Sequence, residues 1–159
     1  GLNGVTLIPV NMYGPGDNFD PNSSHVIPAL ILKFKQAIAN GDKEVMVWGS
    51  GTASREFLYV DDCADAIVMA LEKYNEPYPV NIGTGKEITI KDLAILIGEA
   101  CGFEGEIKFD SAKPDGQPRR CLDTSMAESY FDFKAAMDLK QGLINTVKWF
   151  DESNILNSY

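Results

Sequence analysis

Residues 45–62 read VMVWGSGTASREFLYVDD, and the rest of the chain can be placed relative to this stretch. Residues 45–48 alternate and residues 57–60 are aromatic or β-branched, which predicts two strands joined as a hairpin by the glycine turn at 49–52. We expect Asp61 or Asp62 to cap a helix, because a carboxylate there accepts hydrogen bonds from free backbone amides. The following CADAIVMALEKY repeats its apolar residues at helical spacing.

Composition predicts one compact domain without a nucleic-acid or membrane partner. The chain has 159 residues, of which 45% are hydrophobic, so it can bury one ordinary core. Its 14 basic and 23 acidic residues give a net charge of -9, which argues against binding to a phosphate backbone or an anionic membrane. No apolar run is long enough to span a bilayer and no leader is evident, which favours a cytoplasmic location. Because the first residue is Gly rather than Met, we expect a piece of a longer protein.

The three cysteines indicate free thiols. Cys63, Cys101 and Cys121 are odd in number and lack CxxC spacing, so neither a disulfide framework nor a zinc site is indicated. We therefore expect buried thiols and no metal site.

The N-terminal third predicts a strand, a loop and a helix. The apolar run VTLIPV at 5–10 is typical of a strand covered on both faces of a parallel sheet, although no neighbouring strand is evident. Residues 11–18 have the chemistry of a loop. A helix is expected to follow, with Asn22, Ser23 and Ser24 as capping candidates and Asn40-Gly41 as its exit.

The remaining segments complete an α/β pattern. They comprise a strand at 80–82 that enters a turn at 83–85, a helix from about Thr89 to Gly102, a strand at 106–109, a loop at 111–120, a short helix capped within 123–125, a helix at 139–150 and a fraying tail.

Three residues have side chains suited to a ligand, two of them within the central stretch. A guanidinium fork such as that of Arg55 suits phosphate oxygens, and the indole of Trp48 offers a flat apolar face, so the pair could receive a nucleotide diphosphate. The alternative is a surface Arg paired with Glu56 or Asp62. His25, the only histidine, lies just before a helix, where the positive end of the dipole disfavours the imidazolium form. It could equally cap or pack against that helix.

Five segments, taken in order, carry a resemblance to a known family. They are NMYGPGDNF (11–19), NSSHVIPALILKF (22–34), VWGSGTASREFLYVDD (47–62), VNIGTG (80–85) and KPDGQPRRCLDTS (113–125). Together they resemble the C-terminal half of the GDP-L-fucose synthases, the bifunctional GDP-4-keto-6-deoxy-D-mannose epimerase/reductases among the extended short-chain dehydrogenases. REFLYVDD and YGP are shared by many nucleotide-sugar epimerases and dehydratases, whereas HVIPAL with KPDGQPRR is more specific.

The resemblance implies a fold and an activity. The implied fold is the α/β, C-terminal substrate-binding part of an extended short-chain dehydrogenase, with a remnant strand of the parallel Rossmann sheet. Residues 1–159 would form a single fragment, mostly substrate-binding domain, with 1–12 and about 78–100 contributing to the Rossmann-side sheet. The implied activity of the intact enzyme is NADPH-dependent: it epimerises a GDP-linked 4-keto sugar at two carbons and then reduces the ketone to give GDP-L-fucose.

The N-terminal NADP-binding domain of that family is expected to be absent from this chain. It would carry the glycine-rich fingerprint, the catalytic Ser, the Tyr-x-x-x-Lys pair and the reactive Cys, so we expect this half to be inactive alone. Its implied partners are a GDP-sugar and the missing half, and intact relatives are commonly homodimers.

The resemblance also implies roles for individual residues. His25 would be a general acid in epimerisation and would lie beside the nicotinamide. The other cofactor contacts would be Pro9, Val10, Asn11 and Met12. The substrate contacts would be Lys33, Trp48, Arg55 and Asp115; some relatives have Arg in place of Lys33, so a point charge here replaces a bidentate fork.

Two alternatives stay open from the sequence. The chain could belong to another nucleotide-sugar epimerase or dehydratase of the same superfamily. It could also be a non-catalytic module that binds a nucleotide sugar.

Overall fold

The structure is a computed structural model that describes residues 4–153 and 155–158. Its strands are β1 (Leu7–Pro9), β2 (Asn11–Tyr13), β3 (Glu44–Trp48), β4 (Ser54–Tyr59), β5 (Val80–Ile82), β6 (Glu87–Thr89), β7 (Glu106–Asp110) and β8 (Arg119–Arg120). Its helices are α1 (Val26–Asn40), α2 (Val60–Lys73), α3 (Ile90–Cys101), α4 (Ser125–Phe131) and α5 (Leu139–Glu152), followed by a 3-10 turn at Ile155–Ser158. The predicted α/β class is confirmed.

The predicted hairpin of β3 and β4 is wrong. β3 pairs in parallel with β7, whereas β4 pairs with β2, β6 and β8 in a different sheet. The glycine turn between them bonds elsewhere: the carbonyls of Gly51 and Ala53 accept hydrogen bonds from the amides of Lys91 and Ile90 at the start of α3 (2.9 Å each). The turn thus separates two sheets, and local sequence does not reveal this because its partners are about 40 residues away.

The N-terminal strand has a neighbour after all. β1 pairs in parallel with β5, with Leu7 opposite Val80 and Pro9 opposite Ile82. The chain between these two strands runs through β2, α1, β3, β4 and α2, which supplies the long connection that parallel pairing requires. Residues 1–3 of the predicted Rossmann-side segment lie outside the described residues.

Three short strands were not predicted. β2 lies in the expected loop, and its backbone pairs with β4 from Asn11 opposite Phe57 to Tyr13 opposite Tyr59. β6 and β8 both pair with β4 and are joined to each other by an ion pair between Glu87 and Arg119. Their polar sequences have no strand periodicity, so only the pairing reveals them.

The helix exits and two helix starts agree with prediction. Gly41 and Gly102 follow α1 and α3 in the left-handed conformation, with φ of 73° and 77°. The Thr89 hydroxyl accepts from the Asp92 amide (3.0 Å) and caps α3. Thr124 is the N-cap residue of α4 but makes no side-chain cap; within the predicted 123–125, the Asp123 carboxylate accepts from the Ser125 amide at the first turn (2.9 Å).

Two predicted caps are wrong. α1 begins after His25, without a side-chain cap, so Asn22, Ser23 and Ser24 do not cap it. α2 begins after Tyr59, and Asp62 instead accepts hydrogen bonds from the amides of Ala136 and Met137 (3.1 and 3.0 Å). These hydrogen bonds connect α2 to the segment before α5. Because its two oxygens accept from these distant amides, the Asp62 carboxylate does not cap its own helix.

The core consists of two apolar clusters. The larger packs α1, α3 and α5 against β3 and β4, and the smaller packs α2 and α4 against β1 and β5.

Cys63 and Cys101 are free and buried, as predicted, whereas Cys121 is half-buried. Burial raises the pKa of the Cys101 thiol to about 12. The tail at 151–159, for which fraying stays a prediction, includes the last residues of α5 and the 3-10 turn; Asn154 and Tyr159 lie outside the described residues.

Glu56 is a fully buried carboxylate at the centre of β4. One oxygen accepts from the amides of Thr84 and Gly85 (2.6 and 2.7 Å), and the other accepts from the amide of Leu122 (2.8 Å). These bonds fasten the β5–β6 turn and the segment after β8 to the same strand. Since a buried charge is costly unless it is hydrogen-bonded, all three donors are needed to hold it there.

We predict that Glu56→Gln lowers the free energy of unfolding by about 2–4 kcal/mol, because an amide nitrogen would face a backbone N–H donor. Urea unfolding measures the change. Glu72→Gln, an exposed substitution on α2, is the matched control and should stay within about 0.5 kcal/mol of the parent. Equal stability of the two variants would contradict the role given to Glu56.

Candidate active site

Two adjoining cavities lie between the N-terminus of α1 and the ends of β2, β3 and β4. The first, which we call the strand-end cavity, has a volume of about 310 Å³. The second, the helix cavity, has a volume of about 450 Å³ and runs along α1. Both are lined by His25, Val26, Trp48 and Ile90. They therefore form one continuous depression with a shared wall.

Most of the sequence-predicted site residues meet in this depression. Asn11, Met12, His25, Trp48, Arg55 and Asp115 line the strand-end cavity, and Lys33 lines the helix cavity. Two predicted cofactor contacts do not line either cavity: Pro9 is exposed and pairs with Ile82, and Val10 is buried in the smaller core cluster.

His25 occupies the N-cap position of α1. Its side chain is exposed and borders both cavities, with no side-chain hydrogen bond to the helix. The imidazole is therefore available to a ligand in the depression. The alternative interpretation, that His25 caps the helix through its side chain, is wrong.

Trp48 is 69% exposed, which is unusual for an indole at the end of a strand. The ammonium groups of Lys33 and Lys113 lie 5.9 and 5.6 Å from its ring centroid. These distances allow cation–π interactions, so the ring and both cations are held together at the rim of the depression.

Lys33 is held by the backbone of β3. Its ammonium group donates to the Met46 carbonyl (2.6 Å), and burial lowers its pKa. This contact fixes the charge beside Trp48 and leaves two of its three ammonium hydrogens for other acceptors.

Arg55 lies half-buried on β4, and its guanidinium donates to the Ser54 carbonyl (2.7 Å). Among the described residues it forms no ion pair, so the alternative pairing with Glu56 or Asp62 is wrong. Glu56 points to the opposite face of the strand, since neighbouring residues on a strand alternate. The remaining guanidinium donors are free to face an anion in the strand-end cavity.

Asp115 projects from the loop between β7 and β8 onto the glycine turn. Its two carboxylate oxygens accept from the amide and the hydroxyl of Ser50, at 2.6 and 2.8 Å. Gly49 has a φ of 86°, and a Cβ at this position would collide with the same carboxylate. The close approach thus requires glycine at position 49.

Asn11 is partly committed to the fold. Its side-chain amide donates to the Glu56 carbonyl (3.1 Å), whereas Met12 is 45% exposed and presents a flexible apolar side chain to the strand-end cavity. Together they add one polar and one apolar side chain to the lining that also includes His25.

A Tyr-x-x-x-Lys spacing does occur in this chain, contrary to expectation, at Tyr130 and Lys134. Tyr130 lies near the end of α4, and Asp132 follows in the left-handed conformation, so the two residues are not on one helix. Tyr130 packs edge-on against Tyr74, and Lys134 pairs with Glu128 (2.7 Å). Neither residue lines the depression.

Two further searches concern the described residues alone. Within them, no three His, Cys, Asp or Glu side chains cluster closely enough to bind a metal ion. No helix in those ranges combines the length and apolarity needed to cross a bilayer.

Comparison with known proteins gives the family of the chain. Residues 1–83, more than half of its length, match the sequence profile of the NAD dependent epimerase/dehydratase family. The chain belongs to this family. The resemblance to GDP-L-fucose synthases is also confirmed: the chain is 46% identical over 155 residues to a probable GDP-L-fucose synthase 1 of Oryza sativa subsp. japonica, covering 98% of this chain and 47% of the relative.

Two other relatives extend the comparison. The GDP-L-fucose synthase of Escherichia coli K12 is 41% identical over 157 residues, covering 93% of this chain and 49% of the relative. The crystal structure of a GDP-L-fucose synthetase from Naegleria fowleri bound to NADP matches with a TM-score of 0.87 at 31% identity, covering 95% of this chain and 47% of that one. This epimerase/dehydratase chain thus spans about half the length of the relatives it matches.

Sequence reasoning missed several parts of the site of this family member. The sequence predicts no site role for Ser50, which holds Asp115, or for Ile90, which lines both cavities. Nor does it predict one for Lys113, which lies over Trp48. The glycines on either side of Ser50 were the only available signal, because they mark a turn that a second segment can approach closely.

We predict that Lys33 titrates at a lower pH than Lys134, because burial lowers the pKa of Lys33 whereas the hydrogen bond to Glu128 raises that of Lys134. NMR of the reductively ¹³C-methylated protein measures both titrations, and Lys33→Arg assigns the first resonance. A Lys33 titration at or above that of Lys134 would show that its ammonium group is not desolvated.

Proposed function

We propose that this chain is the substrate-binding half of an NADPH-dependent GDP-4-keto-6-deoxy-D-mannose epimerase/reductase that makes GDP-L-fucose. The observation that carries the proposal is the meeting of His25, Trp48, Arg55 and Asp115 on the strand-end cavity. His25 and Asp115 lie far in sequence from Trp48 and Arg55, so their convergence does not follow from sequence proximity. The names and lengths of the relatives support the same assignment.

The charges of the depression suit a nucleotide diphosphate. The chain carries a net charge of -9, yet Lys33, Lys113 and Arg55 all border Trp48 or the cavity it lines. A guanidinium fork can bind two phosphate oxygens at once, and the ammonium groups add charge without fixed geometry. The exposed indole offers a face for a base or sugar ring. Asp115 accepts hydrogen bonds and would select donors such as sugar hydroxyls.

His25 would supply a proton during epimerisation. Inverting a carbon next to a ketone requires removal of a proton from one face and delivery of a proton to the other. An imidazolium nitrogen of His25 can deliver that proton, because the side chain faces the cavity without a hydrogen bond to its own helix. The base on the opposite face would come from the rest of the protein.

The cofactor contacts in this chain are limited to one wall of the cavity. Asn11, Met12 and His25 could flank a nicotinamide, since they offer a polar group, an apolar side chain and an imidazole around one space. Pro9 and Val10 would contribute only through the strand end they form. The sequence contains no GxGxxG cradle, so the phosphates of NADP would be bound elsewhere in the protein. When bound, the cofactor supplies hydride for reduction of the ketone.

The β1–β5 sheet supports the presence of a missing half. Two parallel strands are rarely stable alone, and Ile8 on β1 is 45% exposed. α2, which precedes β5, also exposes Ile67, Val68 and Leu71 by 52%, 54% and 74%. We propose that β1 and β5, within the segments 1–12 and about 78–100, continue the sheet of a dinucleotide-binding half that covers this surface. The intact protein would be a cytoplasmic homodimer.

We predict that Arg55→Ala in the intact protein weakens GDP-fucose binding about ten- to a hundredfold, because a charge-assisted contact to phosphate is lost. Isothermal titration measures the dissociation constant. Arg120→Ala removes a neighbouring exposed cation that does not line either cavity, and it is expected to have an effect of less than threefold. Unchanged affinity in Arg55→Ala would show that the diphosphate does not bind at Arg55.

We predict that His25→Gln lowers the rate of epimerisation at least a hundredfold while GDP binding changes less than threefold, since Gln cannot donate a proton as an acid. Inversion at the sugar C3 and C5, followed by NMR of the product, measures the step, because a base alone can exchange a hydrogen without inverting the carbon. Normal inversion in this variant would assign the acid to another residue.

The two alternative functions give different results in the same assays. Another nucleotide-sugar epimerase or dehydratase would prefer a UDP-sugar or lack inversion at one of the two carbons. A non-catalytic binding module would bind the nucleotide sugar but show no inversion and no NADPH oxidation in its intact form.

A further inference from the structure

Asp115 is anchored to the protein through one residue. Both of its oxygens accept hydrogen bonds from Ser50, one from the backbone amide (2.6 Å) and one from the hydroxyl (2.8 Å). Residues 111–118 around it are all exposed, so packing contributes little to its position. The position of this carboxylate at the cavity therefore depends on Ser50.

The Ser50 hydroxyl is itself oriented. It lies 2.8 Å from the Thr52 hydroxyl as well as 2.8 Å from Asp115. Since a hydroxyl has one donor and two acceptor positions, donation to Asp115 leaves it able to accept from Thr52. The Thr52 hydroxyl thus favours the Ser50 rotamer that points toward the carboxylate.

Two distances show that the loop lies close to Trp48 and Arg55. The Lys113 ammonium lies 5.6 Å from the Trp48 ring centroid. A Cβ on Gly116 would lie 3.5 Å from a guanidinium nitrogen of Arg55. The loop therefore passes over both side chains that we assign to the nucleotide, with Asp115 between them.

We infer that Ser50 is a positioning residue that presets Asp115 for the sugar nucleotide, an inference that rests on the proposed function. An ionised carboxylate has about four acceptor positions, and Ser50 occupies two of them, one on each oxygen. The other two remain for donors of the ligand. Ser50 thereby restricts which lone pairs of Asp115 face the cavity. Because it holds Asp115 before the ligand arrives, it also lowers the entropic cost of ordering this exposed loop on binding.

The test compares variants of the intact protein by titration with GDP-fucose. Ser50→Ala removes the hydroxyl but keeps the amide, so we expect the dissociation constant and KM to rise about three- to tenfold while kcat changes less than twofold. Ser50→Thr restores a hydroxyl and should bind within twofold of the parent. The control is Ser129→Ala, which removes a comparable exposed hydrogen bond on α4 and should leave binding unchanged.

A double-mutant cycle separates positioning from a direct contact. In an Asp115→Ala background, Ser50→Ala should cause no further loss, because the residue acts through Asp115. A loss as large as in the parent would show that Ser50 contacts the ligand itself, and parent-like binding by Ser50→Ala would show that it positions nothing. Either result overturns the inference.

Amide hydrogen exchange provides a readout without a ligand. We expect a lower protection factor for the amide at position 50 in Ser50→Ala than in the parent or in Ser129→Ala, because this amide donates to Asp115 and one of the two hydrogen bonds that hold Asp115 is lost. If the parent fails to bind GDP-fucose, the proposed function falls, and the exchange data still decide whether Ser50 holds the loop. Unchanged exchange in Ser50→Ala would overturn the inference independently.

Discussion

The buried carboxylate of Glu56 holds together the segments on which the site depends. It has no cationic partner among the described residues, and its charge is stabilised by the amides of Thr84, Gly85 and Leu122. Because side chains alternate along a strand, burial of Glu56 directs Arg55 and Phe57 to the opposite face, where both line the strand-end cavity. One interaction therefore fixes the β5–β6 turn, the exit from β8 and the direction of the guanidinium. The cost of burying the charge makes this arrangement cooperative, since losing any one donor weakens all three connections.

The depression lies where separate sheets meet. β3 delivers Trp48 from one sheet, β4 delivers Arg55 from another, and α1 brings His25 and Lys33 along its first turns. A single hairpin of β3 and β4 would have placed Trp48 and Arg55 close together but left no space between them. The glycine turn instead bonds to the start of α3, and Ile90 of that helix lines both cavities. The failed hairpin prediction thus concerns the feature that creates the site.

Charge is distributed unevenly in this acidic molecule. Most of the other basic side chains whose contacts are described pair with nearby carboxylates, as Lys35 does with Asp151 and Lys140 with Glu99. Lys33 and Lys113 lie over an indole instead, and Arg55 binds only a backbone carbonyl. Cations that lack carboxylate partners keep their full attraction for an incoming anion, and the surrounding negative charge repels nonspecific polyanions. The same local pattern would suit any nucleoside diphosphate sugar, so discrimination among sugars depends on hydroxyl contacts such as those available at Asp115.

The sequence by itself determined the helices, their glycine exits, the strands at 80–82 and 106–109, and the residue types of the site, because these depend on local periodicity, turn chemistry and recognisable motifs. Only the tertiary structure decided that β3 and β4 lie in different sheets, that Asp62 bonds to Ala136 and Met137, and that Ser50 holds Asp115. The last two contacts join residues 65 or more positions apart. Carboxylates and free amides have many possible partners of similar intrinsic strength, so the choice among them depends on where packing places each chain segment.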